Sequence, residues 1–255
     1  MPRFAANLSL IFTEYEFFDR FAHAARFPFQ AVEFQFPYDI DATLIAQAAR
    51  AAGLPIALFN APPGDTKGRA ALLELEDFQE EFQPALEYAA VLHPEKMHIM
   101  AGIAEPDETS TALFIRNISW AAAELEKLGV LAVIEPINQH SMPGYFLHSV
   151  DQATTLLEAI KHPNAKMLFD IFHIQQLHGD LSRRLTAIHE AGILGHIQVA
   201  SVPHRAEPGS GEVNDAALFR LIDDLGYPGF IGAEYLPAHT TVAGLDWLDK
   251  AVSTS

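Results

Sequence analysis

The chain has 255 residues, none of them cysteine, a hydrophobic content of 49% and a formal net charge of −17. That length suits one large domain with a full core, and the missing cysteines remove disulfides, zinc–thiolate sites and thiol nucleophiles together. The negative charge repels phosphate backbones, and no apolar run reaches the ~18 residues of a membrane span or reads as a secretory signal, so neither nucleic acid nor membrane is an expected partner and the cytoplasm is the expected location.

Taken in order, RFAANLSLIF (Arg3 to Phe12) is strand-like, and the stretch after it sets Phe17, Phe18, Phe21, Ala24 and Ala25 at helical spacing. The unit then repeats. AVEFQF precedes DATLIAQAARAAG; PIALFN precedes a proline- and glycine-rich loop, APPGDTKGR, and a helix from about Ala71 to Leu92. Lys67 and Arg69 in that loop are expected to face solvent. KMHIMAG is followed by a helix from about Asp107 to Leu128, and GVLAVIEPIN by SVDQATTLLEAIK, where Ser149 has the chemistry of an N-cap. The run through AKMLFD leads to LSRRLTAIHEAG, ILGHIQV to NDAALFRLIDDLG, and GFIGAEY to a last helix through Trp247.

Apolar β-branched runs alternating with amphipathic helices, with no hairpin signal, predict parallel strands covered by helices. Eight units close into a single (β/α)8 TIM barrel, one α/β domain over residues 1–255 with no linker inside it. An open doubly wound sheet would carry a glycine-rich turn after its first strand, and none follows LSLIF.

Four of the runs carry a polar residue late: Glu135, Asp170, Gln198 and Glu234. A carboxylate at the end of an apolar strand is costly unless it is paired, hydrogen-bonded or metal-bound. In a barrel all four fall on the C-terminal rim, where active sites lie. Two glutamates, an aspartate and an amide oxygen form a hard, all-oxygen set that suits Mg²⁺ or Mn²⁺ better than Zn²⁺ or Cu²⁺. His98 alternates into the barrel or into the core, and Glu33, short of its strand end, is expected in an internal polar layer or a substrate floor.

AVEFQFPY, LFNAPPGD, MHIMAG, IEPIN, MPGYFL, FDIFHIQ, GHIQVASVPHRAEPGSGE and LGYPGFIGAEY together resemble the hydroxypyruvate isomerase branch of the xylose-isomerase-like TIM barrels, which includes 2-oxo-tetronate isomerases. The resemblance implies metal ligands at Glu135, Asp170, Gln198 and Glu234, an acid/base pair in Glu135 and Glu234, and a substrate site lined by His173, Arg205 and Glu207. Ser141 stands where relatives commonly have an acidic residue.

The reaction this implies is aldose–ketose isomerisation of a small hydroxy-keto acid, hydroxypyruvate to tartronate semialdehyde or a 2-oxo-tetronate, through a metal-stabilised enediolate. One carboxylate removes a C–H proton and a second group returns it to the neighbouring carbon; the order of the two glutamates stays open. The alternatives are a ketose 3-epimerase, an abasic-site DNA endonuclease of the same fold family and a non-catalytic sugar-binding barrel. A homo-oligomer is compatible with all of them.

Overall fold

The eight apolar runs become eight parallel strands in the computed structural model, which describes residues 1–253; the last two residues of the expected 1–255 domain lie outside the described residues. The strands are β1 (Arg3–Asn7), β2 (Ala31–Phe34), β3 (Ile56–Asn60), β4 (Lys96–His98), β5 (Leu131–Ile134), β6 (Ala165–Asp170), β7 (Leu194–Val199) and β8 (Phe230–Ala233). They pair in chain order and β8 returns to β1, so the sheet is a closed barrel.

The helices outside it are α1 (Phe17–Ala24), α2 (Ala42–Ala52), α3 (Leu75–Leu92), α4 (Glu108–Lys127), α5 (Val150–Ile160), α6 (Ile171–Leu177), α7 (Leu181–Glu190), α8 (Asp215–Asp224) and α9 (Asp246–Ser253). Their starts follow the expected chemistry. The Ser149 side chain accepts from Gln152 N at the head of α5, and Asp107 and Ser110 form a capping box on α4.

The two-residue alternation of a strand divides each run between two cores. On β1 and β2, Phe4, Ala6, Val32 and Phe34 pack outward under the helices, while Ala5 and Ala31 join Phe230 in a separate cluster. Leu58, Val133 and Leu168 form a second separate cluster. Above these apolar layers the same alternation sets Asn7 on β1, Glu33 on β2, Gln198 on β7 and Asp170 on β6 near the C-terminal rim, all buried.

Three boundaries differ from the sequence expectation. β1 stops at Asn7, because Leu10 N and Ile11 N both bond to Asn7 O and turn the chain. α3 begins at Leu75 rather than near Ala71, since Asn117 on α4 holds Ala70 O and Leu73 O with its amide at 3.0 and 2.8 Å. Between β6 and the helix expected at LSRRLTAIHEAG the chain adds a short helix, α6. The APPGDTKGR loop is also tied down: Gly68 bridges Ala101, and Arg69, half-buried, lies near Asp65 and Glu81. Lys67 is exposed as expected.

Candidate active site

Asp170 shows how the rim is built. It is the last residue of β6 and the N-cap of α6, so its Oδ1 accepts from Phe172 N at 2.8 Å while Oδ2 is turned toward the barrel axis. The helix that starts there brings His173 onto its first turn, with Nε2 3.6 Å from Asp170 Oδ2 and 3.8 Å from Glu135 Oε1. Glu135 follows β5 directly, and His98 on β4 places its Nε2 3.6 Å from Glu135 Oε2. Gln198 pairs in register with Asp170 on one side and Gly232 on the other. Glu234, one residue past β8, is held by the amides of Gln35 and Asn7 at 3.1 and 3.4 Å.

Arg205 closes the group from the loop after β7. Its Nη2 pairs with Glu234 Oε2 and lies 3.4 Å from Asp170 Oδ2, its Nη1 lies 3.3 Å from His173 Nε2, and its guanidinium rests 4.8 Å from the Phe172 ring centre. The backbone at Arg205 is left-handed (φ 54°), a costly state for a side-chain-bearing residue, held by the bonds Arg205 N to Ser201 O and Leu236 N to Arg205 O. Glu207 is not brought into the group: its Oε1 accepts from Ala238 N at 2.9 Å and its side chain lies across Gly244.

Crowding acids away from water changes their proton affinity. Burial, then the charges of Asp170 and Glu234, hold Glu135 protonated well above the usual carboxylate range. Burial pushes Asp170 up to about 7 against the pull of Arg205, and raises Glu234 against the same pull. Burial lowers His98 to about 3 and His173 well below its usual value, so both imidazoles are neutral.

The neutral His173 has a defined tautomer. Asn138 Oδ1 accepts from Ser141 N at 2.8 Å, so its NH₂ must face His173 Nδ1, 2.7 Å away. Nδ1 therefore accepts, which leaves the ring proton on Nε2 on the side of the carboxylates, so that Arg205 Nη1, itself only a donor, makes no hydrogen bond to that atom. Asn138 escaped the sequence reading, although it stands three residues after Glu135 in IEPIN, because nothing in composition distinguishes it from a turn residue. Asn7 and Gln35 were missed for the same reason.

Glu135, Asp170 and His173 each place one donor atom within 4.8 Å of the others, a group that could hold a metal ion. The surroundings fit one. Glu135 Oε1 is buried without a hydrogen-bond partner, and three carboxyl groups face one another with Arg205 offsetting their charge. Glu234 lies outside that group and is joined to it through Arg205, while Gln198 stands next to Asp170 in register on the neighbouring strand.

A family model for the xylose isomerase-like TIM barrel matches residues 21–251. The chain belongs to that family. Within it, the chain is 44% identical to the 2-oxo-tetronate isomerase of Cupriavidus necator, over 97% of this chain and 98% of that protein. It is 38% identical to the hydroxypyruvate isomerase of Escherichia coli, over 98% and 99%. A crystal structure named as an AP endonuclease of family 2 from Brucella melitensis superposes with a TM-score of 0.94 at 40% identity, covering 98% of this chain and 99% of that one. At these identities over nearly full length, this member of the xylose isomerase-like family is an isomerase. Among the described residues no helix is long and apolar enough to cross a membrane.

Proposed function

We propose that this isomerase acts on a small hydroxy-keto acid, hydroxypyruvate or a 2-oxo-tetronate, with Mg²⁺ or Mn²⁺ held by Glu135, Asp170, Gln198 and Glu234, as a single cytoplasmic domain spanning residues 1–255. The observation that carries this reading is the convergence of acids on a single guanidinium: Glu234 and Asp170 on Arg205, with Glu135 and the His173 donor beside them. A bound divalent ion would polarise the substrate carbonyl and lower the cost of the negative charge that develops on it.

The chain's own residues do the rest. Arg205 is the cation within reach of a substrate carboxylate, and a planar guanidinium binds it through two parallel bonds. His173 Nε2–H donates to a substrate oxygen. One of Glu135 and Glu234 takes the C–H proton from the hydroxyl-bearing carbon, and a proton is returned to the former carbonyl carbon while the hydroxyl proton passes between the two oxygens. Without an ion, burial raises the proton affinity of both glutamates; a bound dication would favour their ionised form and so ready one of them to accept the carbon-bound proton. The burial of Glu135, Asp170, His173 and Glu234 limits the access of water to the reacting atoms.

The same two glutamates would also serve a ketose 3-epimerase, but a neutral sugar gives Arg205 no carboxylate to bind. The endonuclease name of the Brucella structure raises a DNA-cleaving reading; the net charge of −17 weighs against a polyanionic substrate.

The test is an isomerase assay on two- to six-carbon keto acids and ketoses, after chelation and after return of Mg²⁺ or Mn²⁺. Ion-dependent turnover greatest on a hydroxy-keto acid is expected, and Glu135→Gln and Glu234→Gln should each lower kcat by about 10²-fold or more. Turnover confined to neutral ketoses, or unchanged by chelation, would refute the proposal.

A further inference from the structure

Beneath the rim lies a carboxylate that the reaction as described does not use. Glu33 on β2 is fully buried and reaches across the barrel interior, where its Oε1 accepts from Gln198 Nε2 at 2.8 Å and from Asn7 Nδ2 at 2.9 Å. Its Oε2 lies 2.9 Å from His196 Nε2. Three donors from β1 and β7 thus meet on one side chain from β2. Room for it is made by Gly232 on β8: a Cβ there would stand 2.4 Å from both Glu33 oxygens.

A carboxylate with three donors around it is an acceptor only, and this decides the orientation of each partner. His196 must present an N–H from Nε2, in agreement with its Nδ1, which is buried without a partner. Gln198 must present its NH₂ to Glu33. The other end of the amide, the oxygen, is then the atom left for the rim, in the layer of Asp170. An amide free to rotate would offer its NH₂ to a cation in half of its orientations, and that end repels one. Asn7 is fixed in the same way, and its second N–H reaches Glu234 Oε1 at 3.4 Å.

We infer that Glu33 is a positioning residue for the cation site: it orients the Gln198 amide so that oxygen rather than nitrogen faces Glu135 and Asp170, and it steadies Glu234 through Asn7. This rests on the proposal that a divalent ion binds at the rim. Outer partners that orient ligands typically change metal affinity by about 10- to 100-fold when removed.

The test is Mn²⁺ affinity by titration calorimetry on the wild type, Glu33→Met, Gln198→Met and the double variant, a cycle that reads the coupling between the two side chains. Each single variant is expected to weaken Mn²⁺ by about 10-fold or more, and the double to be little weaker than Gln198→Met, because Glu33 acts mainly through Gln198. Independent, multiplicative losses would show Glu33 acting as a distant charge and overturn the inference, as would full affinity in Glu33→Met. Should Glu33→Met fail to fold, Glu33→Gln replaces it in the cycle: its carbonyl still accepts from Gln198, so affinity should fall far less than in Gln198→Met. A loss as large as that of Gln198→Met would overturn the inference. The amide of Gln198 supplies a second readout in that case: its side-chain NH₂ resonances, identified by their absence in Gln198→Met, should be protected from solvent exchange in wild type and in Glu33→Gln, and unprotected signals in wild type would overturn it. If the wild type itself binds no Mn²⁺, the proposed metal dependence fails instead.

Discussion

Arg205 is the residue on which the substrate reading turns. Its guanidinium already bridges Asp170 and Glu234, so it both offsets their charge and stands where an anionic substrate would enter. Lysine in its place keeps the charge but loses the planar fork. Arg205→Lys is therefore expected to lower kcat/KM on hydroxy-keto acids by about 10-fold or more, the equivalent of a charge-assisted bond of roughly 1.5 to 3 kcal/mol, with a smaller loss on neutral ketoses. Equal losses on both substrate classes would remove the clamp from the mechanism. Asp170 carries a second consequence at this scale. Its proton affinity is raised in the fold, to about 7 from an ordinary 3.8, so it favours the native state while protonated; that contribution is full below about 4 and is lost as pH rises through about 7. In metal-free protein, the Tm of wild type should fall relative to Asp170→Asn across that window, as Asn keeps the capping oxygen but does not titrate. Parallel Tm curves for the two proteins would contradict this.

Among the elements, the loop after β3 illustrates how tertiary contacts overrule a local signal. Its proline and glycine content, and Lys67 and Arg69, read as a solvent-facing connection, and Lys67 is one. Yet Gly68 is buried with φ at 97°, and a Cβ on it would stand 2.2 Å from Met100 O, two residues past β4. Glycine is required there twice over, for its backbone conformation and for the close approach. Gly68→Ala is expected to destabilise the protein by about 1 to 3 kcal/mol, the usual cost of forced overpacking, seen as a lower denaturation midpoint with an unchanged slope. A neutral effect would mean that the loop moves away at no cost. α6 teaches the complementary lesson. IFHIQQL after Asp170 continues an apolar run, yet it forms a helix, capped where Phe172 N donates to Asp170 Oδ1, that delivers His173 beside the acids.

For the whole molecule, ring closure joins β8 to β1 and brings residues more than 200 positions apart into one polar group, as with Asn7 and Glu234. A cation held there binds the folded chain and not the unfolded one, so it must stabilise it by mass action. Mn²⁺ at about 100 times its Kd should add about 2.7 kcal/mol and raise Tm by several degrees, with chelation reversing the shift. The same addition should leave the Tm of Glu135→Gln/Asp170→Asn nearly unmoved. A Tm indifferent to Mn²⁺ in wild type would count against a rim ion.

By itself the sequence determined the barrel and its eight units, because strand and helix periodicity are local properties and alternate cleanly along the chain. It also set Glu135, Asp170, Gln198 and Glu234 at strand ends, since in a (β/α)8 chain position along a strand is position along the barrel axis. What only the tertiary structure decided was orientation across the barrel. Asn7, Gln35 and Asn138 are unremarkable in sequence, and Glu33 reads there only as part of a polar layer or a substrate floor; all four acquire their roles through partners on other segments. Arg205 and Glu207 are two residues apart on one loop, yet one turns into the acids and the other toward Ala238. The left-handed backbone at Arg205 and the donors waiting on each side separate them, and neither is written in the local pattern. Hydrogen bonds between side chains depend on ångström distances between distant segments, which periodicity does not encode.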